Sequence, residues 1–265
     1  MGSGTASERL DVAVTKHRSA VVAYSGGVDS ALVAFVASRR IRTLAVMSDS
    51  PSVPRAELDA ARRFAERHSI QMRVVPTGEV DLDDYRRNDG RRCYFCKGTL
   101  YAELSRIARD EGYEVVMDGT NLSDLGDVRP GLEAAREAGV VSPLLEAGLA
   151  KEDVREVSRQ LGLETWNKPS APCLSSRIPV GLPVTFEALA QVERAEEVLK
   201  RAGFRVVRVR HLGHKARIEV GEGERDDELL HSLVPAIKQI GFGEVEFFAS
   251  PYLEPHLRAR AQQSP

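Results

Sequence analysis

The sequence predicts an α/β protein, a parallel sheet with helices on both faces, followed by a small C-terminal α+β domain. Short apolar runs alternate with helix-length segments from Val21 to Leu161, the order that strands joined by crossover helices produce. The first run, Val21-Val22-Ala23-Tyr24, breaks into Ser25-Gly26-Gly27-Val28-Asp29-Ser30 and then into an apolar helical pattern. From Asn167 to Pro183 the chain holds four prolines and no periodicity, which marks a functional loop and a domain junction. Beyond it the pattern changes to a helix, a period-two hairpin, a second helix and a final strand.

Taken in order, Met1 to Ser7 is rich in Gly and Ser and is expected to be a disordered leader, with a helix completing residues 1–18. Val28 to Arg40 reads as a helix, and Thr43 to Met47 as a buried strand ending in Ser48-Asp49-Ser50-Pro51. Pro54 to His68 is helical, Gln71 to Val75 a strand, Lys97 to Glu111 a helix, Glu114 to Met117 a strand and Lys151 to Leu161 a helix. Ser25 to Ser30, Ser48 to Ser50 and Asp118 to Asn121 all fall at carboxyl ends of strands, where parallel sheets bind their ligands. This main domain is expected to span residues 19–180.

Residues 181–265 form the smaller domain. Thr185 to Ala202 is an amphipathic helix with Thr185 as N-cap and Phe186, Leu189, Ala190, Val192 and Leu199 available for packing. Phe204 to Arg210 and Lys215 to Val220 alternate with period two and are joined by His211-Leu212-Gly213-His214, so they read as a hairpin. A helix from about Asp226 to Ile240 and a strand from Glu244 to Phe248 complete the unit. No internal repeat or low-complexity tract is visible.

Composition bounds the function. The 265 residues are 42% hydrophobic and 29% charged, ordinary for a globular protein. Thirty-seven basic against 39 acidic residues leave a formal charge of −2, so no global basic field recruits nucleic acid. The longest apolar run, Ala31 to Ala37, is far too short to cross a bilayer, and no basic, apolar, cleavable leader opens the chain. A cytoplasmic protein is expected.

The glycine loop reads as a phosphate site. Two adjacent glycines let the backbone turn sharply and approach an anion, while the following helix points unpaired N–H groups and its positive dipole end at the same place. Ser25 and Ser30 add hydroxyl donors. Asp29 beside phosphates makes sense as a holder of Mg²⁺, which prefers oxygen ligands and bridges phosphate oxygens. The loop lacks both the Gly-x4-Gly-Lys-Ser/Thr and the Gly-x-Gly-x-x-Gly patterns. A strand-to-helix turn without chemistry is the competing reading.

Only three cysteines occur, Cys93, Cys96 and Cys173, the first two as Cys-Tyr-Phe-Cys after Arg91-Arg92. Core cysteines scatter over apolar faces, whereas these occupy loops or helix starts, and arginines with a helix N-terminus favour thiolate. Three readings stand side by side. One is a structural zinc site short of its fourth ligand, another a redox or catalytic Cys93–Cys96 pair. The third is an iron–sulfur cluster, in which three protein thiolates leave one iron open for an exogenous ligand such as hydrosulfide.

Ser-Gly-Gly-Val-Asp-Ser resembles the loop of the ATP pyrophosphatase (PP-loop) superfamily. Tyr24–Ser30, Asp118-Gly119-Thr120-Asn121, Asp127-Val128-Arg129-Pro130-Gly131, Trp166-Asn167-Lys168-Pro169, Pro172-Cys173-Leu174-Ser175-Ser176-Arg177 and Val207-Arg208-Val209-Arg210 occur in this order. The series is similar to the LarE family, ATP-dependent sulfur transferases of nickel-pincer cofactor biosynthesis for lactate racemase. The resemblance runs from about Val21 to Phe248, and its Asp-x-Arg-Pro-Gly and Cys-Leu-Ser-Ser-Arg blocks are the most specific.

The resemblance implies an adenine nucleotide alpha hydrolase-like fold and an enzyme acting on pyridinium-3,5-biscarboxylic acid mononucleotide. A carboxylate is adenylated with ATP·Mg²⁺, pyrophosphate leaves, and AMP is exchanged for sulfur from sulfide or another sulfur donor. One branch of the family sacrifices a single cysteine. The other holds a [4Fe-4S] cluster on three cysteines, and the Cys93–Cys96 pair places this chain there, with Cys173 as the third ligand. By the same resemblance, Ser25, Gly26, Gly27, Asp29, Ser30 and Ser48 bind ATP, and Asp29 holds Mg²⁺. Ser176, Arg177, Arg208, Arg210, Glu219 and Asp227 line the substrate pocket. From alternation alone, Arg208 and Arg210 share one face of the first hairpin strand, and Arg217 and Glu219 share a face of the second, a pattern that a solvated outer face also produces. Arginine forks suit phosphate and carboxylate. The small domain is expected to mediate a homo-oligomer, with no membrane or nucleic-acid partner. Rival readings are a tRNA thiolase and an ammonia-using adenylating ligase.

Overall fold

The computed structural model describes residues 4–125, 130–250 and 252. The chain divides into two compact units, one of Met1–Tyr85 and Arg91–Ala171, the other of Arg86–Gly90 and Pro172–Pro265. Among the described residues no helix is long and apolar enough to cross a membrane.

The first unit opens with α1 (Ala6–Thr15). Thr5 and Glu8 form a capping box: the Thr5 N–H donates to Glu8 Oε2 (2.7 Å) and the Glu8 N–H to Thr5 Oγ1 (3.2 Å). The leader expected to reach Ser7 therefore gives way to helix by Ala6, because reciprocal capping satisfies two otherwise unpaired groups of the first turn. Met1 to Ser3 lie outside the described residues.

Then follow β1 (Ser19–Ala23), α2 (Val28–Arg40), β2 (Arg42–Asp49), α3 (Arg55–Arg67) and β3 (Met72–Pro76). After α4 (Asp83–Arg86) come α5 (Arg92–Glu111), β4 (Val115–Met117), α6 (Pro130–Glu137), α7 (Pro143–Glu146) and α8 (Lys151–Gln160). The sheet order is β3-β2-β1-β4, every pair parallel. Strand residues alternate between two cores. Ala20, Val22, Ala45 and Met47 pack with α1, α2, α3, α7 and α8, whereas Val21, Ala23, Leu44 and Val46 pack with α5 and α6. The chain runs from β1 outward to β2 and β3, then returns to place β4 on the other side of β1. That makes the β1–β4 boundary the topological switch point, where doubly wound sheets bind ligands.

Helix α5 begins five residues before the expected Lys97. Tertiary contacts sustain its first turns: Tyr94 Oη donates to Glu137 (2.6 Å), Arg91 pairs with Glu133 (3.3 Å) and the Arg91 guanidinium lies 4.6 Å from the Tyr94 ring centroid.

In the second unit α9 (Phe186–Arg201) and α10 (Asp227–Gln239) accompany a sheet of β5 (Val207–Leu212), β6 (Lys215–Val220) and β7 (Glu244–Phe247). β5 and β6 are antiparallel and β7 is parallel to β6. Ala195, Leu199, Val207, Val209, Ile218, Leu230 and Ile237 meet in one core. The hairpin is shifted from expectation. Pairing extends to Leu212↔Lys215, leaving Gly213, at φ +73°, and His214 as the turn. At the other end the Glu224 carboxylate takes the N–H groups of Arg205 and Val206 (2.9 Å each), so β5 starts only at Val207.

Asn88 joins its own segment to this unit. Its side-chain amide, 1% exposed, donates to the carbonyls of Ile178, Pro179 and Leu182 at 3.3, 2.7 and 2.9 Å.

Candidate active site

The glycine loop caps the carboxyl end of β1. Gly26 sits at φ +72°, where a Cβ would also come within 3.0 Å of Ala61 Cβ on α3; only glycine fits both demands. Gly27 is the N-cap of α2 and provides no side-chain cap, so the opening N–H groups of α2 are left for an external anion. Ser30 Oγ accepts from the Ser25 N–H (3.1 Å) and lies 3.0 Å from Ser25 Oγ, closing the loop on itself.

Gly119, just past β4, explains how the loop is held from the switch-point side. A Cβ there would stand 2.8 Å from the Ser30 nitrogen and 3.0 Å from the Asp29 carbonyl carbon. Its neighbour Asp118 is buried and accepts from Tyr101 Oη (3.1 Å), Thr120 Oγ1 (2.7 Å) and Ser142 Oγ (2.7 Å). Burial, followed by the opposing charge of Lys97 and the contact with Asp118, leaves the Tyr101 phenol pushed up to about 12, so it donates as a neutral hydroxyl.

Three lysines converge on these loops that sequence reasoning did not select. Lys151, the first residue of α8, donates to Asp29 Oδ2 at 2.5 Å, while Asn121 Nδ2 donates to Oδ1 at 3.1 Å. Lys168 donates to the Gly26 carbonyl (2.9 Å) and pairs with Glu57 (2.7 Å), tying the glycine turn to α3. Lys97 lies 5.3 Å from the Tyr101 ring centroid. Burial works against its charge, yet the neighbouring Tyr101, Asp118 and Cys96 together hold its pKa above the usual lysine value. The only sequence signal for Lys168 was its place in the Trp166–Pro169 block.

Ser48 is half-buried at the end of β2, and Asp49 after it pairs with Arg55 at 2.5 Å. Below them Ser50, Ser52 and Glu79 form a buried cluster: both hydroxyls donate to Glu79 Oε1, Ser52 at 3.0 Å, and each residue is at most 2% exposed.

Cys93 and Cys96 occupy the second and fifth positions of α5 and so share a helix face. Cys93 is exposed, Cys96 half-buried, and neither is in a disulfide. In the second unit Cys173, also free and half-buried, is the N-cap of a single 3-10 turn, Leu174–Arg177. Among the described residues no group of three or more His, Cys, Asp and Glu side chains is gathered as a metal site.

The second unit brings Ser176, Arg177, Arg210 and Glu219 together. Arg177 and Glu196 form a bidentate pair (2.8 and 3.1 Å), each side chain 3% exposed. The remaining Arg177 nitrogen donates to the carbonyls of Pro172 (2.6 Å) and Cys173 (3.0 Å) and to Ser176 Oγ (3.0 Å). Arg177, expected to face substrate, spends its fork on shaping the turn that carries Cys173. Arg210 grips Glu219 with two nitrogens (2.9 Å each) and donates to the Ser176 carbonyl (3.0 Å). The Glu219 bond raises the Arg210 pKa further. Arg208 stands opposite Glu219 in the ladder and lies 4.7 Å from the Tyr252 ring centroid. Asp227 is exposed on the first turn of α10 and pairs with Arg225 at 2.9 Å. Arg217 pairs with Glu246 on β7.

The family model described as thiamine biosynthesis protein (ThiI) matches residues 16–200. The pyridinium-3,5-bisthiocarboxylic acid mononucleotide synthase of Lactiplantibacillus plantarum is 38% identical over 212 residues, covering 79% of this chain and 77% of its own length. The chain belongs to the LarE family of the PP-loop superfamily. Two further relatives share most of their length with this LarE-family chain. An uncharacterized protein of Synechocystis sp. is 43% identical over 84% of this chain and 85% of its own. An uncharacterized protein of Methanocaldococcus jannaschii is 29% identical over 87% and 89%. A LarE-family PP-loop protein is an ATP-dependent sulfurtransferase, as the series of motifs implied. In the Asp127–Gly131 block, residues 127–129 lie outside the described residues.

Proposed function

We propose that this chain adenylates the carboxylates of pyridinium-3,5-biscarboxylic acid mononucleotide and converts them to thiocarboxylates, with sulfur delivered through a [4Fe-4S] cluster on Cys93, Cys96 and Cys173. The observation that carries the substrate reading is the 38% identity to the Lactiplantibacillus plantarum synthase, spread over 79% of the chain. What supports the nucleotide reading is the Gly26–Gly27 turn with an uncapped helix start at the switch point.

In this reading the N–H groups at the start of α2, with the Ser25 and Ser30 hydroxyls, receive the phosphates, and Ser48 lines the nucleotide site. Asp29 is the oxygen donor suited to Mg²⁺, which takes one or two carboxylates and completes its shell with phosphates and water. The bound ion would neutralise charge on the phosphate oxygens. A substrate carboxylate oxygen attacks the α-phosphorus, the α–β bridging bond breaks and pyrophosphate leaves. A sulfur nucleophile then attacks the acyl carbon and AMP leaves with its electron pair. Without that activation the leaving group would be oxide.

Arg208 and Arg210 supply cationic forks for the substrate's phosphate and carboxylates, with Ser176, Glu219 and Asp227 as further groups to contact it. Arg210 is held ready by Glu219, and Arg177 fixes the turn beneath Cys173. The thiols fit the cluster chemically: Cys93 and Cys96 are not in a disulfide and share one face of a helix start, and thiolates are the ligands such clusters take. When bound, the cluster would supply sulfur at its corner not ligated by protein. The small unit is the proposed oligomerisation element, and the cytoplasm the proposed setting.

Anaerobic reconstitution with iron and sulfide tests the cluster. Wild type is expected to show a broad charge-transfer band and about four irons per chain, both lost in Cys96→Ala. A colourless, iron-free protein would overturn it and return Cys173 as a sacrificial donor or Cys93–Cys96 as a redox pair.

A further inference from the structure

Asp29 is the carboxylate assigned to Mg²⁺, yet both of its oxygens already hold protein donors. Asn121 Nδ2 occupies Oδ1 (3.1 Å) and the Lys151 ammonium occupies Oδ2 (2.5 Å). Neither partner arrives by accident of a floppy loop. Asn121 is fixed by its own capping box, its N–H on Asp124 (3.1 Å) and its side-chain oxygen on the Ser123 N–H (2.9 Å). Lys151 opens α8, its backbone N–H bonded to Ser123 Oγ (3.0 Å), one residue after an N-cap closed by Asp153 (2.9 Å). The short turn after β4 therefore carries Asn121 itself and, through Ser123 Oγ, anchors the start of α8 from which Lys151 reaches Asp29.

A full positive charge on Oδ2 does two things to a divalent cation: it covers a lone-pair site and adds like-charge repulsion. The contact is nonetheless releasable, because the Lys151 and Asp29 side chains are 34% and 23% exposed. A lysine ammonium on its four-carbon stem swings to a stronger anion while its backbone stays fixed. The phosphate cradle that begins at Gly27 is the place where such an anion arrives.

We infer that Lys151 is an internal counter-ion that bars divalent metal from Asp29 until nucleotide is bound. The triphosphate draws the ammonium off Oδ2, and the carboxylate becomes a metal ligand only then. Metal binding is thus made conditional on ATP, and a hard divalent ion is excluded from the empty site. The inference rests on the nucleotide reading above, which assigns Asp29 to Mg²⁺.

Mn²⁺ is the probe, followed as free ion by electron paramagnetic resonance during titration with full-length protein, first alone and then with α,β-methylene-ATP. Wild type and Lys151→Arg are expected to leave Mn²⁺ free without nucleotide and to take it up with the analogue. Lys151→Gln is expected to bind Mn²⁺ without nucleotide about tenfold more tightly than wild type, as removal of one adjacent charge from a carboxylate implies, and Asp29→Asn in that background should abolish the gain. Tight Mn²⁺ binding by nucleotide-free wild type, or no gain in Lys151→Gln while wild type takes up Mn²⁺ with the analogue, overturns the inference and leaves the nucleotide reading standing. If wild type takes up no Mn²⁺ with the analogue, both fall together. The wild-type arms need no variant, so a poorly folding substitution cannot shield the inference.

Discussion

Replacing Gly119 by Ala puts one methyl group where the β4 turn meets the phosphate loop. That carbon would lie 2.8 Å from the Ser30 nitrogen, 3.0 Å from the Asp29 carbonyl carbon and 3.1 Å from Asp29 Cβ. None of these is the far end of a flexible side chain: two are backbone atoms of the first turn of α2 and the third is fixed to it. Relief requires the turn and the helix start to separate by several tenths of an ångström. Overpacking of this kind costs about 1–3 kcal/mol. Because the displaced atoms include the Ser30 N–H of the cradle and the backbone that aims it, binding of α,β-methylene-ATP should weaken by roughly tenfold or more, misplacement by a fraction of an ångström being enough. Urea unfolding reads the first quantity and titration calorimetry the second. Gly98, inside α5 with nothing within 4 Å of its added Cβ, is the control. Gly98→Ala should stabilise by about 0.5–1 kcal/mol and leave nucleotide affinity unchanged. A Gly119→Ala protein with wild-type stability and wild-type affinity would refute the claim that this close approach sets the cradle.

Glu196→Ala should destabilise by about 3–5 kcal/mol, because it strands the buried Arg177 charge and removes the acceptor of the Val209 N–H (3.2 Å); denaturant unfolding reads it. Burial holds the His211 pKa below its usual 6.5 against a weaker upward pull from a backbone hydrogen bond and Glu187. The unfolded chain therefore takes up this proton first: the histidine's contribution to stability is full above 6.5 and is lost as pH falls below it. His211→Gln, judged by melting temperature across that window, should show a flatter pH dependence than wild type.

The alternation of strand and helix was legible because each strand end and helix start carries local signals. Val28–Arg40 was bounded by the glycine loop and terminal arginines, and the carboxyl-end loops fell where the parallel sheet puts them. Elements decided by distant partners were not. The first turns of α5 lie ahead of the helix expected from Lys97, and Tyr94 and Arg91 anchor them to α6. The start of β5 was obscured because a side chain 18 residues away, Glu224, takes the N–H group of Val206. Lys151 and Lys168 reach Asp29 and Gly26 across 122 and 142 residues, and no spacing rule connects positions so far apart. Arg177 illustrates the opposite case. Its residue type suits an anion, but only the fold reveals that Glu196 and two carbonyls already hold its donors.

In the proposed reaction, ATP cleavage at the Gly26–Gly27 loop is coupled to activation of a pyridinium carboxylate. The direct measurement is pyrophosphate release from ATP·Mg²⁺ with and without pyridinium-3,5-biscarboxylic acid mononucleotide, with mass analysis of the pyridinium product after sulfide is added. Pyrophosphate is expected only in the presence of that substrate, and a thiocarboxylate after sulfide. Substrate-independent release, or an unchanged pyridinium compound alongside pyrophosphate, would contradict that coupling.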